Sequence, residues 1–346
     1  MRLAVAGALL LLTPAGCAGD LPPLLNPSLS AAQIAALPGK AGVRDAHYVA
    51  TYGGPDGTVY QTVSGTVQMQ PVHGLSQTSS VVPGKGGVQL GETREVGGVV
   101  YNQVFPGWSH PRWMSNPAYS GAVWANPIYF DGWGASGGFR VEGQEGSAVD
   151  RAWRLVSQAG GTLKPGATIR LWIRQRDGYP LKYRLDFTQA TTTIVFDRIN
   201  SGARVSPPPA RDLLPPTGVA DVARYAFDGG AIRVLTADYS YRGPLVTPSD
   251  TSERLVGVEV YVDAPPTPSL LADPSRWQLI SADGTRYPGV TAGAGAWGKG
   301  NGGTDLLAFF RVPADAQRPF TLHVVLTDFQ KLATPNVVVD ALIKLS

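Results

Sequence analysis

A chain of 346 residues with 43% apolar content is long enough for two domains with real cores and too apolar for a disordered polypeptide. Its formal charge of +3 comes without a basic cluster, which argues against nucleic acid as a partner. The only cysteine, Cys17, rules out an internal disulfide, and no apolar run after it is long enough to span a bilayer. The 42 Gly and 29 Pro break up short runs of β-branched and aromatic residues, a pattern of many strands and turns with few helices.

In chain order, the first feature is Arg2, the apolar run Leu3–Leu12, and then Thr13-Pro14-Ala15-Gly16-Cys17. A positive residue, about ten apolar residues and small residues before a break describe a secretion signal. Small residues at 15 and 16 followed by cysteine are what bacterial lipoprotein processing requires. Residues 1–16 therefore read as a lipoprotein signal peptide and Cys17 as the acylated first residue of the mature chain. Pro14 stands where such signals usually carry Leu, so an ordinary signal cut nearby, for instance after Ala18, is the alternative. Lipidation places the protein in the cell envelope, anchored on the extracytoplasmic side of a membrane; without it the protein is secreted or periplasmic. Residues 17–32 read as a tether.

A short helix is expected over Ser30–Leu37, with Ser30 as N-cap and Pro38 as stop. Strands follow at Ala46–Tyr52 and Thr58–Gln70, separated by the turn cluster Gly53-Gly54-Pro55-Asp56-Gly57. Val88–Glu95 and Gly98–Val104 read as a hairpin across Gly97-Gly98. The spacing of Val149, Trp153 and Val156 predicts a helix over Gly146–Gly161, capped by Ser147. Three strands come next, Thr168–Gln175, Leu181–Gln189 and Thr192–Asp197; in the first, Ile169, Leu171 and Ile173 face opposite to Arg170, Trp172 and Arg174. The proline-rich stretch 206–217 marks a domain boundary. About six strand-like runs over 218–346, with turn signals between them, point to a β-sandwich.

Phe105–Phe139 holds nine aromatics among many Gly and Pro, too irregular for one helix or strand and longer than an ordinary loop. Trp108, Trp113, Trp124, Tyr129, Phe130 and Trp133 are candidates for a lid or a platform for lipid headgroups or sugar; a self-packed loop covering an open sheet face is the competing reading. No catalytic motif stands out. His47, His73, His110 and His323 are far apart and lack zinc-ligand spacing, and the four Asp-Gly pairs at 56, 177, 228 and 283 fit turns. No metal, cofactor or catalytic residue is called, although a triad assembled from distant residues is compatible with any sequence.

Residues 33–205 combine a helix, a curved run of antiparallel strands carrying Ser64-Gly65-Thr66-Val67 and Gly98-Val99-Val100-Tyr101, an inserted helix, then Arg176-Asp177-Gly178-Tyr179-Pro180-Leu181-Lys182 and a strand ending Phe196-Asp197-Arg198-Ile199-Asn200. This half of the chain resembles the LolA-like carriers, and more closely the actinobacterial LppX and LprG lipoproteins. The resemblance implies a half-barrel sheet folded over one or two helices, with an apolar cavity for acyl chains between them. Residues 218–346, through Leu255–Asp263, Trp277–Tyr287 and Leu307–Pro313, resemble the telokin-like, immunoglobulin-like domains of bacterial lipoproteins, which implies a scaffold or partner-binding module.

The expected fold is therefore mainly β: an α+β half-barrel followed by an immunoglobulin-like β-sandwich. The expected function is non-enzymatic binding or carriage of a lipid or acylated ligand by an envelope lipoprotein. Cavity candidates are Val63, Val67, Val100, Ile169, Leu171, Ile173, Leu185 and Phe187 on strands, with Trp153 and Val156 from the 146–161 helix; filling of the core by these same residues is the competing reading. The alternative function is binding of an envelope protein or glycan through the sandwich or the 105–139 insertion.

Overall fold

The computed structural model describes residues 28–81, 88–117, 127–136, 138–147, 150–158, 167–216, 218–243, 245–246, 248–264, 270–272, 276–290, 296–297, 303–328 and 336–345. Cys17, the signal and most of the tether lie outside the described residues, as does Trp124.

The chain enters through two short helices, α1 (Ala31–Ala35) and α2 (Leu37–Lys40). Ser30 caps α1 as expected: its hydroxyl accepts from the Gln33 amide at 3.3 Å while the Gln33 side chain accepts from the Ser30 amide at 2.8 Å. Pro38 does not end the helical segment. It sits in the first turn of α2, where its missing N–H has no partner to lose.

Twelve strands follow: β1 (Asp45–Gly53), β2 (Val59–Gln68), β3 (Gly74–Val81), β4 (Val88–Val96), β5 (Val99–Val104), β6 (Arg112–Pro117), β7 (Arg140–Glu145), β8 (Ala152–Gln158), β9 (Thr168–Arg174), β10 (Pro180–Asp186), β11 (Thr191–Asp197) and β12 (Leu213–Leu214). They form one sheet in the order β12-β6-β5-β4-β3-β2-β1-β11-β10-β9-β8-β7. Two antiparallel meanders, β1–β6 and β7–β11, thus join where β1 pairs with β11, and the sheet curls around a core without pairing its two ends. The Asp-Gly pairs are turns: Asp56 accepts from the Thr58 amide at 3.0 Å, and Gly57 and Gly178 have φ of +86° and +76°.

Of the helix expected over 146–161, residues 148–149 and 159–161 lie outside the described residues, and Ala152–Gln158 is instead β8, paired with β7 on one side and β9 on the other. The segment supports two periods at once. Val149, Trp153 and Val156 fit a helix, while Trp153, Leu155 and Ser157 alternate with Arg154 and Val156 as a strand requires. Backbone pairing with two neighbours and burial of Trp153 and Leu155 against the core decide for the strand.

The second half has β13 (Ala223–Phe227), β14 (Gly230–Tyr241), β15 (Glu253–Asp263), β16 (Leu270–Ala272), β17 (Gln278–Ile280), β18 (Arg286–Val290), β19 (Ala296–Trp297), β20 (Gly303–Pro313), β21 (Phe320–Asp328) and β22 (Asn336–Leu345). The strands β13-β14-β15-β20 form one layer and β17-β21-β22 with β16 another, bridged by β18, which pairs with both β17 and β20. Between the layers lies a fully strand-walled core that includes Trp277, Phe310, Phe320 and Val258, each 0% exposed.

The proline-rich segment is not a free spacer. Leu213 and Leu214 add to the sheet edge beside Trp113 and Met114 of β6, the one place in a sheet where proline neighbours are tolerated. Arg94 and Arg112 donate to the carbonyls of Ser206 and Arg211, fastening the segment further.

Candidate functional site

The concave face of the first sheet gathers Val63, Val67, Trp153, Ile169, Leu171 and Ile173 into one core with Tyr48, Leu155, Tyr183, Ile194 and Phe196. Leu185 packs at its margin. Six of the ten cavity candidates are thus brought together in the core, Trp153 from a strand rather than a helix. Three are not. Val156 alternates with Leu155 and Ser157, so it lies on the convex face, where it floors a polar cleft. Val100 is half-buried on β5 outside the core, and Phe187 is half-buried in the turn after β10.

The concave face is covered. The segment 127–136, ending in the 3-10 turn Phe130–Ser136, places Phe130 and Trp133 against it at 1% and 3% exposure. Both rings meet Phe196 edge-on, with centroids 5.6 and 5.8 Å away, and Trp133 also lies 5.8 Å from Tyr183. The plug is internally tied by the Trp133 indole N–H, which donates to the Pro127 carbonyl at 2.9 Å. Its approach to the helices is close: a Cβ on Gly134 would stand 2.8 Å from Ala36 Cβ and 3.0 Å from Ala36 Cα. At the rim, His73 stacks on Tyr129 with centroids 5.1 Å apart and reaches Asp131 at 3.2 Å. The core-filling reading therefore describes this conformation.

The covered space is not uniformly apolar. The Tyr48 hydroxyl donates to Gln77 Oε1 at 3.1 Å, and the buried Tyr129 hydroxyl has no hydrogen-bond partner among the described residues. Burial pushes the pKa of both phenols upward; Tyr52 and Tyr129 add to the shift at Tyr48, and Glu95 and Asp131 to that at Tyr129. Burial raises Tyr183 to about 12.

The insertion does not act as one lid. While Tyr129, Phe130 and Trp133 turn inward, Trp113 is buried on β6 beneath the Arg94 guanidinium, 4.8 Å above its ring. Trp108 goes the other way, into a third cluster formed with β14, β15 and β20. Gly257 is the notch that receives it, since a Cβ there would sit 2.6 Å from Trp108 Cζ3. Phe309 and Tyr241 flank the indole at 5.9 and 5.5 Å, and the Tyr241 hydroxyl donates to the Gly107 carbonyl at 3.2 Å.

The same contact holds a buried charge cluster. Arg112 Nε donates to Glu259 Oε1 at 2.5 Å, and Glu259 Oε2 also accepts from Thr236 Oγ1 at 3.0 Å and from the Trp108 indole at 3.3 Å. Asp305, on the neighbouring strand, is 0% exposed, and among the described residues neither of its carboxyl oxygens has a hydrogen-bond partner. Burial pushes its pKa well up, the Glu259 carboxylate adds to the shift, and the Arg112 charge opposes it. Sequence reading missed this trio. The available signal was a glutamate inside the apolar run Leu255–Val262, where β15 is buried on both faces.

Three of the four histidines pair with one aspartate each: His47 with Asp197 and His323 with Asp340, both at 2.5 Å, and His73 with Asp131. Among the described residues no three His, Cys, Asp or Glu side chains converge, and no helix is long and apolar enough to cross a membrane.

No protein-family model and no curated protein matches the chain. Among solved structures it is similar to LprF from Mycobacterium bovis, at 16% identity and a TM-score of 0.38 over 54% of this chain and 99% of that one. LppX from Mycobacterium tuberculosis gives 12% and 0.34 over 50% and 94%, and the MucA/MucB complex of Pseudomonas aeruginosa gives 11% and 0.29 over 81% and 93%. These similarities are slight, and the half-barrel is established by its own strand order.

Proposed function

We propose that this protein is an envelope lipoprotein, anchored through Cys17, that binds an acyl chain or similarly apolar ligand on the concave face of its half-barrel and performs no chemical step. One observation carries the reading. Among the described residues, the concave core of the first sheet is closed by two short helices and an irregular aromatic segment, residues 127–136, and not by strands. Such a cover can be exchanged for a ligand without breaking a sheet. Phe130 and Trp133 then occupy, in this conformation, the place an acyl chain takes when bound. Shielding each methylene from water contributes about 0.8 kcal/mol, so a long chain can be held with no catalytic group. In this reading the immunoglobulin-like second half is a scaffold that fixes the orientation of the first through Trp108 and Arg112.

Native mass spectrometry of the Cys17→Ser chain tests this. The expected result is a lipid adduct or uptake of a long-chain fatty acid, increased by Trp133→Ala, which vacates space beside Phe196 and Tyr183. A bare mass for both proteins, with no fatty-acid uptake, overturns the reading.

A further inference from the structure

We propose that the convex face of β7–β10 docks on an anionic lipid surface; the acyl-anchor reading supplies the nearby membrane, and the contact itself is carried by this face. Side chains alternate on these strands, so the residues between the core positions point outward: Arg154 on β8, Arg170 and Arg174 on β9, Lys182 and Arg184 on β10. The carboxylates of the face are already engaged. Glu142 is shared by Arg154 (2.9 Å) and Arg170 (3.6 Å), and Asp186 by Arg170 (2.6 Å) and Arg184 (2.7 Å). Asp177 holds Arg174 and Arg176, Asp150 also reaches Arg174, and Glu145 takes Arg154 and the Trp172 indole. Arg140 and Arg151 remain, with no carboxylate partner among the described residues, and Lys182 makes no ion pair but attracts Glu145 at longer range.

The surplus charge is arranged for a phosphate-bearing surface. Register places Arg184, Arg170, Val156 and Arg140 in one row across the sheet. Between Arg170 and Arg140 opens a polar cleft of about 420 Å³, also lined by Gly138, Glu142 and Thr168. In the next row the Lys182 ammonium lies 4.6 Å above the Trp172 ring, an apolar platform under a charge.

The test is co-sedimentation of the full-length Cys17→Ser chain with phosphatidylcholine vesicles, with and without phosphatidylglycerol. Binding to the anionic vesicles only is expected at low salt, falling as salt shortens the reach of the charges. Arg140→Gln and Lys182→Gln are each expected to lower partition about fivefold, the worth of one basic side chain at an anionic surface, while Lys344→Gln on the outer strand of the second half leaves it unchanged. Equal binding to both vesicle types, no binding at low salt, or indifference to Arg140→Gln and Lys182→Gln in chains with wild-type circular dichroism overturns the docking. Whether wild-type Cys17 is acylated is read separately from the mass of the membrane-extracted chain, so failure here is distinguishable from failure of the anchor.

Discussion

The two cores of this molecule are closed in different ways. In the second half, strands wall the core on both sides, and Trp277, Phe310, Phe320 and Leu322 are all fully buried between hydrogen-bonded layers. In the first half, a single curved sheet is closed by two short helices and an aromatic loop segment whose rim contact, His73 with Asp131, is 51% and 41% exposed. A strand-walled core opens only when the fold does. A loop-covered one opens by a local rearrangement, which draws on the low end of a protein's range of opening free energies. On the proposed function, the difference makes the second half the permanent scaffold and the first the exchangeable site.

The largest expected effects come from the scaffold and its contact with the first half. Arg112→Ala leaves the buried Glu259 carboxyl without its guanidinium partner, at an expected cost of about 3–5 kcal/mol in urea unfolding, whereas joint replacement of Arg112 and Glu259 by Met recovers most of it. If the single and double variants lose equal stability, the charge pair is not what the contact depends on. Trp277→Ala is expected to cost about 3–5 kcal/mol regardless of ligand. Trp133→Ala removes a similar volume from the other core, yet at saturating fatty acid its loss relative to the wild type is expected to shrink by about 1.4 kcal/mol for each tenfold by which the variant binds the ligand more tightly. Equal ligand-insensitivity of both variants breaks the contrast.

A smaller effect tests the buried carboxyl. Asp305 has its pKa raised in the folded state, so its contribution to stability is complete below the ordinary carboxylate range, near pH 4, and is lost as pH rises toward the folded value. Asp305→Asn is therefore expected to raise the melting temperature at pH 7 by a few degrees and to flatten the decline expected of the wild type above pH 4. A wild-type and variant pair with parallel pH profiles contradicts this. The smallest effect is expected at the rim: His73→Ala removes an exposed pair and one ring contact, with a loss of about 0.5 kcal/mol or less but measurably faster ligand uptake. Unchanged uptake kinetics place the gate elsewhere.

Much of this architecture was legible in the sequence, for physical reasons that can be named. The alternation Ile169, Leu171, Ile173 against Arg170, Trp172, Arg174 fixes both a strand and its faces, and Ser30 marks a helix start. Segment 146–161 misled because its apolar residues satisfy both periods, and only pairing with β7 and β9 separates them. The aromatic insertion was visible as a feature, but its division was not. Trp108 and Trp133 stand 25 positions apart in similar Gly- and Pro-rich surroundings, and no local pattern says that one seats in Gly257 while the other covers Phe196. The charge trio depends on Arg112 meeting Glu259 across 147 positions, a separation that patterning does not reach.

The most direct test of an exchangeable cover over a fixed frame is hydrogen–deuterium exchange on the full-length Cys17→Ser chain, with and without a long-chain fatty acid. The account predicts that 127–136 exchanges well before β15 and β20, and that fatty acid accelerates its exchange while further protecting β9–β11. If 127–136 exchanges in step with β15 and β20 and the fatty acid alters neither, the first core is as permanent as the second and the account is contradicted.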